Sequence, residues 1–218
     1  MLTLAPEHTS PGQIRRLTEA GIQVCAGHSN ASIEQMLEAI SEGLRGVTHL
    51  FNAMSPLSAR APGVVGTALV EDELWAGIIA DGHHVHPASI RLACRSKPAG
   101  RLVLVSDAMA TVGGCRDAFS LYGEQIHAAG GRLVNRDGAL AGSAIALMDA
   151  VAYCATVLDL APSECLRMAS LYPAGILAMD DHLGRIAPGY RADLVHFDRH
   201  WRVNTSWQAG RREQHRQG

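Results

Sequence analysis

Residues 22–44, IQVCAGHSNASIEQMLEAISEGL, carry the reading on which the fold turns. Ile22 to Ala26 is a short apolar run with the character of a buried strand, and Gly27-His28-Ser29 stands at its end. Ser32-Ile33-Glu34-Gln35 then has the form of a capping box, in which the serine hydroxyl and the glutamine amide satisfy each other's backbone N–H groups at a helix start. Ile33, Met36, Leu37, Ile40 and Leu44 fall on one helix face, with Gly43 or Gly46 to end it. A strand passing at once into an amphipathic helix is the repeat unit of parallel α/β folds.

Working outward, the same unit recurs. Val47 to Leu50, Leu74 to Ala80 and Leu102 to Val105 read as further buried parallel strands, and Met1-Leu2-Thr3-Leu4 as a leading strand whose helix runs from Pro11 to Ala20. Pro87 starts another helix, carrying Ile90, Leu92 and Ala93 toward the strand at Leu102. Past Asp107 a glycine-punctuated stretch (Phe119, Leu121, Gly130, Gly131, Leu133, Gly138) predicts a hairpin and loop excursion. Helices are expected over Ala144 to Leu158 and Ser163 to Ala178, and short antiparallel strands in the last forty residues. The chain is therefore divided near residue 180, into 1–180 and 181–218, with the basic GRREQHRQG end expected to be a solvated, frayed terminus. Four or five parallel strands fall short of a closed eight-stranded barrel, which takes about 250 residues. Either the sheet is open or part of a barrel is absent.

Composition narrows the function classes. The chain has 218 residues, 47% of them hydrophobic and 18% charged, with a formal charge of -2, as in an ordinary globular protein. Nothing in that balance calls for nucleic acid or an anionic membrane as partner. No apolar run is long enough to span a bilayer, and the opening MLTLAPEHTSPG has no signal-like apolar stretch. Five scattered cysteines (Cys25, Cys94, Cys115, Cys154, Cys165) without a CxxC pair suggest neither a disulfide framework nor a cysteine zinc site; a reducing cytoplasm fits them.

Candidate chemistry sits where strands end. His28 and His49 stand one strand-helix repeat apart, so in a parallel sheet both side chains emerge at the same carboxyl edge, where α/β enzymes place their sites. Imidazoles from neighbouring strands can share one zinc or other first-row divalent ion. Asp107, in Val105-Ser106-Asp107-Ala108, reaches the same edge and can either ligate the metal or act as acid/base. The plainer reading makes each a hydrogen-bonded strand-end residue, and it weakens as three such residues end three strands. Asp81-Gly82-His83-His84-Val85-His86 reads equally as a competing metal trap or as a loop that binds an anionic substrate. Asn52, after His49, either addresses a ligand oxygen or belongs to a plain turn. His8, His127, His182, His196, His200 and His215 lack a strand-edge context and are expected to be surface or structural.

The segments LTLAPE, AGHSNA, THLFNAM, APGVVG, IIADGHHV, LVSDAMA, LAGS, RMASLYPA and GRIAPGYRADLV, in this order and spacing, resemble the N-acetylglucosamine-6-phosphate deacetylases of the metal-dependent amidohydrolase superfamily. The resemblance runs nearly end to end. It implies a TIM-type (β/α) barrel, here only its C-terminal strands, plus part of a small β-sandwich. It implies hydrolysis of the acetamide of N-acetyl-D-glucosamine 6-phosphate by a metal-activated water, in amino-sugar catabolism. It further implies that His28 and His49 are metal ligands and that Asp107 is the catalytic acid/base. Asn52, Ala53, Asp81, Gly82, His83, His84, Leu140, Ala141 and Gly142 would line the sugar-phosphate site. Zinc is the foremost cofactor, with iron, manganese, cobalt or nickel as alternatives. Arg60 matches an arginine that reaches the phosphate in the neighbouring subunit, which implies a homodimer. The family's upstream strands and an HLEGP-like segment with a glutamate ligand have no counterpart here, so the chain looks like the C-terminal portion of such an enzyme. Two rivals stand beside this reading: an amidohydrolase acting on a cyclic amide or a different acylated sugar, and a non-catalytic half that needs an N-terminal partner.

Overall fold

The computed structural model describes residues 1–114 and 118–214. Its centre is a five-stranded parallel sheet of β1 (Leu2–Leu4), β2 (Val24–Ala26), β3 (Gly46–Val47), β4 (Trp75–Ile78) and β5 (Leu102–Leu104), ordered as in the chain. Every residue of β2 to β5 is buried, as expected of strands covered on both faces. Helices α1 (Gln13–Glu19), α2 (Ile33–Ser41), α3 (Gly63–Val70) and α4 (Pro87–Ser96) make the crossovers. The result is an open α/β sheet, the form of a partial (β/α) barrel.

Ser32 caps α2 as its sequence pattern predicts: the serine hydroxyl accepts from the Gln35 N–H, and the Gln35 side chain accepts from the Ser32 N–H. The buried stripe differs from the predicted one in detail, because Met36, Ala39 and Leu44 face the core while Leu37 faces solvent. On α4, likewise, Ile90 and Ala93 are buried and Leu92 is exposed. Helix α3 had no predicted counterpart. Gly63 to Leu69 are all buried, and a helix apolar all round shows no periodic stripe to read. Gly66 is required there by close approach: a Cβ would stand 2.6 Å from Pro62 and 2.9 Å from Leu57.

The predicted excursion is a three-stranded antiparallel sheet, β6 (Ala118–Leu121), β7 (Glu124–Ala129) and β8 (Arg132–Val134). It is followed by α5 (Leu147–Thr156), α6 (Pro162–Ala169) and α7 (Leu171–Ile176). The single helix expected over Ser163 to Ala178 breaks at Ser170 (φ -136°, ψ -69°). Pro173 explains the break: it has no N–H to give, and its ring would strike the carbonyl four residues back in a continuous helix. Gln23, just before β2, donates its side-chain N–H to the Ile176 carbonyl, which ties α7 to the amino end of the sheet.

A last antiparallel sheet joins β9 (Leu194–Phe197), β10 (Val203–Gln208) and β11 (Arg211–Gln214). The expected frayed tail is corrected here, because Arg211 to Gln214 pair in register with Gln208 to Thr205. The rest of the tail, from His215, lies outside the described residues, as does Cys115. Cys25, Cys154 and Cys165 are buried as small apolar side chains, and no disulfide forms among the described cysteines. No helix among the described residues is long and apolar enough to cross a membrane.

Candidate active site

Because β1 to β5 run parallel in ladder order, their carboxyl ends share one edge, and each strand delivers a polar side chain there. His28 and His49 stand two residues past β2 and β3. Glu7, Asp81 and Asp107 stand three residues past β1, β4 and β5. Three of the five hold left-handed backbone, with φ of 49° at His28, 25° at His49 and 50° at Asp107. For a residue with a Cβ this conformation costs about 1 to 2 kcal/mol, and such strain gathers at functional sites.

The two histidine rings meet edge to face, with centroids 4.8 Å apart. His49 is buried, and its Nδ1 has no hydrogen-bond partner. Burial, then the facing His28 ring, pushes His49 below the ordinary imidazole range, against the pull of Asp107. A neutral ring with a buried free nitrogen beside a second imidazole is the donor chemistry a divalent cation takes. The pair therefore fits such an ion as part of a ligand set. Among the described residues no three His, Cys, Asp or Glu side chains group into a complete one.

The loops after β2 and β3 are stitched together. The Ser29 N–H donates to the Ala53 carbonyl at 3.1 Å, and the Ser55 N–H to the Ser29 carbonyl at 2.9 Å. Asn52 turns its amide N–H back onto the carbonyls of His49 and Leu50, each at 3.3 Å, and Ala53 sits at φ 47°. Arg60 is exposed on the turn that Ser58 and Ala61 close.

After β4, Asp81 organises its own loop. Oδ1 accepts from the His83 and His84 N–H groups at 2.8 and 2.9 Å, and Oδ2 pairs with His84 Nδ1 at 2.6 Å. Burial alone would raise the Asp81 pKa, but these bonds outweigh it and hold the pKa at about 2. The bond to Asp81 gives His84 Nδ1 its proton and turns the partnerless, buried Nε2 away. His86 is spent elsewhere, its Nδ1 accepting from the Ala88 N–H at the start of α4. Tyr153 packs under this loop, its hydroxyl 3.0 Å from where a Gly82 Cβ would stand.

Asp107 is exposed and meets Leu140 to Gly142 through Ser143. The Ser143 N–H donates to the Asp107 carbonyl at 2.8 Å, the Met109 N–H returns to the Ser143 carbonyl at 3.1 Å, and the Ser143 hydroxyl donates to the Ser106 carbonyl. Gly142, at φ 73°, is required there: a Cβ would stand 2.4 Å from Met109 and 3.1 Å from the Asp107 carbonyl. The turn between β7 and β8 also comes near, with a Gly131 Cβ position 3.4 Å from His83 Nε2.

The structure thus brings His28 together with His49 and Asn52 with Ala53, gathers Asp81 to His84 in one turn, and seats Gly142 against Asp107. Glu7, Ser143 and Tyr153 were not singled out in the sequence. The strand-end rule that found His28 applies equally to Glu7.

Residues 7–213 match the model of the amidohydrolase family. The chain is similar to the N-acetylgalactosamine-6-phosphate deacetylase of Shewanella sp. (strain ANA-3), 42% identical over 210 residues that cover 96% of this chain and 53% of the relative. It is 36% identical over 211 residues to the N-acetylglucosamine-6-phosphate deacetylase of Vibrio furnissii, with 96% of this chain and 53% of the relative covered. The crystal structure of N-acetylglucosamine-6-phosphate deacetylase from Pasteurella multocida superposes with a TM-score of 0.93 at 36% identity, over 98% of this chain and 56% of that one. The chain spans about half the length of these two relatives.

Proposed function

The chain belongs to the amidohydrolase family, and from that premise we propose that it carries the C-terminal part of a deacetylase that converts N-acetyl-D-glucosamine 6-phosphate to D-glucosamine 6-phosphate and acetate. The observation that carries the reading is the His28–His49 pair, with its buried free nitrogen on the same sheet edge as Asp107. The deacetylase names of the relatives support it. One of them is named for the galactosamine substrate, which differs at a single ring carbon, so that sugar is the second reading.

His28 and His49 would hold a divalent cation, zinc foremost, with iron, manganese, cobalt or nickel as alternatives. A glutamate from the half of the relatives' length that this chain does not span would complete the ligand set. When bound, the cation supplies Lewis acidity toward the amide carbonyl and raises the acidity of water. Asp107 takes the proton of the attacking water on a carboxylate oxygen, then delivers it to the departing amine nitrogen, which cannot leave as an anion. His84, its tautomer set by Asp81, would turn Nε2 to accept from a substrate hydroxyl. Asn52, Ala53 and Leu140 to Gly142 line the sugar, and Arg60 reaches the phosphate of a second copy in a homodimer. Binding energy at the phosphate, remote from the bond cleaved, serves to hold the acetamide in place. Residues 1–180 belong to the barrel in this reading, and 181–218 to the small β-sandwich.

Acetate release tests the proposal, measured on both sugar phosphates with the 218-residue chain, with the chain extended by the N-terminal half of a relative, and with the Asp107→Asn form of the extended protein. The extended protein is expected to be active and the short chain a poor catalyst. An inactive extended protein overturns the assignment. Full activity in the short chain overturns the need for the other half.

A further inference from the structure

Glu7 is the strand-end side chain that the proposed chemistry leaves unused. Its carboxylate is turned sideways rather than outward: Oε2 accepts from the Ser29 hydroxyl at 2.6 Å and Oε1 from the Asn30 N–H at 2.5 Å. Both partners directly follow His28, at the point where the backbone leaves its left-handed conformation. Ser29 is buried, and its own N–H and carbonyl are the groups that fasten this loop to Ala53 and Ser55, beyond His49. One carboxylate thus links the loops after β1 and β2, and through Ser29 the loop after β3. Each of its oxygens already accepts a hydrogen bond from the loop after β2.

We propose that Glu7 is a positioning residue, gripping Ser29 and Asn30 so that His28 holds the left-handed turn in which its ring meets that of His49. The inference rests on the reading of His28 and His49 as metal ligands for its consequence, though not for its geometry. A glutamine at position 7 keeps one acceptor and loses the other, while an aspartate keeps the charge and loses the reach. Bidentate bracing therefore predicts that both substitutions fail, whereas a purely electrostatic effect on a nearby cation would be restored by aspartate.

The test uses the 218-residue protein and its Glu7→Gln, Glu7→Asp, Ser29→Ala and His28→Ala variants. Amide hydrogen exchange is read at Asn30, Co²⁺ affinity by titration, and the global unfolding midpoint by circular dichroism. Glu7→Asp, which loses the reach, should speed exchange at Asn30 by roughly tenfold or more, since a bond to a charged acceptor is lost, and Glu7→Gln should speed it by less, since its remaining oxygen is a neutral and weaker acceptor. Co²⁺ affinity should fall by about tenfold or more, as for other residues that orient a ligand, with the midpoint little changed. Unchanged exchange at Asn30 overturns the brace. Affinity lost with exchange unchanged, or restored by Glu7→Asp, also overturns it, because either result makes Glu7 a ligand or a point charge. If the parent and His28→Ala proteins bind Co²⁺ equally, the metal reading fails and the exchange result alone decides the brace.

Discussion

The two halves of the candidate site are held in different ways. On the histidine side, loops after three adjacent strands are laced by Glu7, Ser29, Ala53 and Ser55 within some fifty residues of chain, and His49 is buried beneath them. On the Asp107 side a single serine does the fastening, and it arrives from beyond the β6–β8 excursion. The histidine pair is thus fixed by the sheet that carries it. Asp107 is exposed and depends on a segment more than thirty residues downstream for its position. In the proposed roles, a group that exchanges protons with water and substrate would tolerate that exposure, whereas a ligand pair would gain from rigidity.

The sharpest way to break this comparison is to remove each half in turn. In the extended, active protein, Asp107→Asn should lower kcat by roughly 100-fold to 10,000-fold, the range for a lost acid/base group. Its metal content should stay at the parental level. His49→Ala should lose the metal as well as the activity, measured by metal analysis of the folded, purified protein. Metal lost in both variants would show that the halves are one unit.

How far the sequence reveals each half follows the same division. The parallel strands are legible because both faces are buried, which leaves unbroken apolar runs such as Leu102 to Val105, and because Ser32 and Gln35 declare the helix after β2. The spacing of His28 and His49 then places them without further information. The excursion beside Asp107 is legible only as turns, since β6 and β7 are largely exposed and carry little apolar alternation. Helix α3 hides because it is apolar on every side, and α6 and α7 look continuous until the ring of Pro173 is considered. Glu7 is different again: the strand-end rule places it at the edge, but its hydrogen bonds to Ser29 and Asn30, more than twenty positions away, are encoded by no local pattern.

Acid should expose the loop between the two halves. Asp81 has its pKa lowered from 3.8 to about 2 in the folded protein, despite burial, by its bonds to the His84 ring and to two backbone N–H groups. A lowered folded pKa means that the stabilisation is complete above the unfolded value and is lost as pH falls from 3.8 toward 2. The difference is worth about 2 kcal/mol at neutral pH. Denaturant unfolding should therefore show the parent losing more stability than Asp81→Asn between those two pH values. Parallel curves for the two proteins would mean that the Asp81–His84 pair adds nothing to folding.

The smallest expected effect probes the fastening of Asp107 itself. Ser143 is fully buried, and its hydroxyl donates to the Ser106 carbonyl while accepting from the Ile145 N–H at 3.3 Å. Ser143→Ala removes both bonds but leaves the backbone exchange between Ser143, Asp107 and Met109 in place. Two partly buried backbone groups lose a partner, and the methyl that remains fills most of the space, so stability should fall by about 1 kcal/mol. With the backbone bridge intact, kcat in the extended protein should drop by less than about tenfold, the equivalent of 1.4 kcal/mol. Metal affinity should not move, since no bond of Ser143 reaches the loops that carry His28 and His49. A Ser143→Ala protein with unchanged kcat but weakened metal binding would reverse the comparison, making this serine part of the histidine side rather than the support of Asp107.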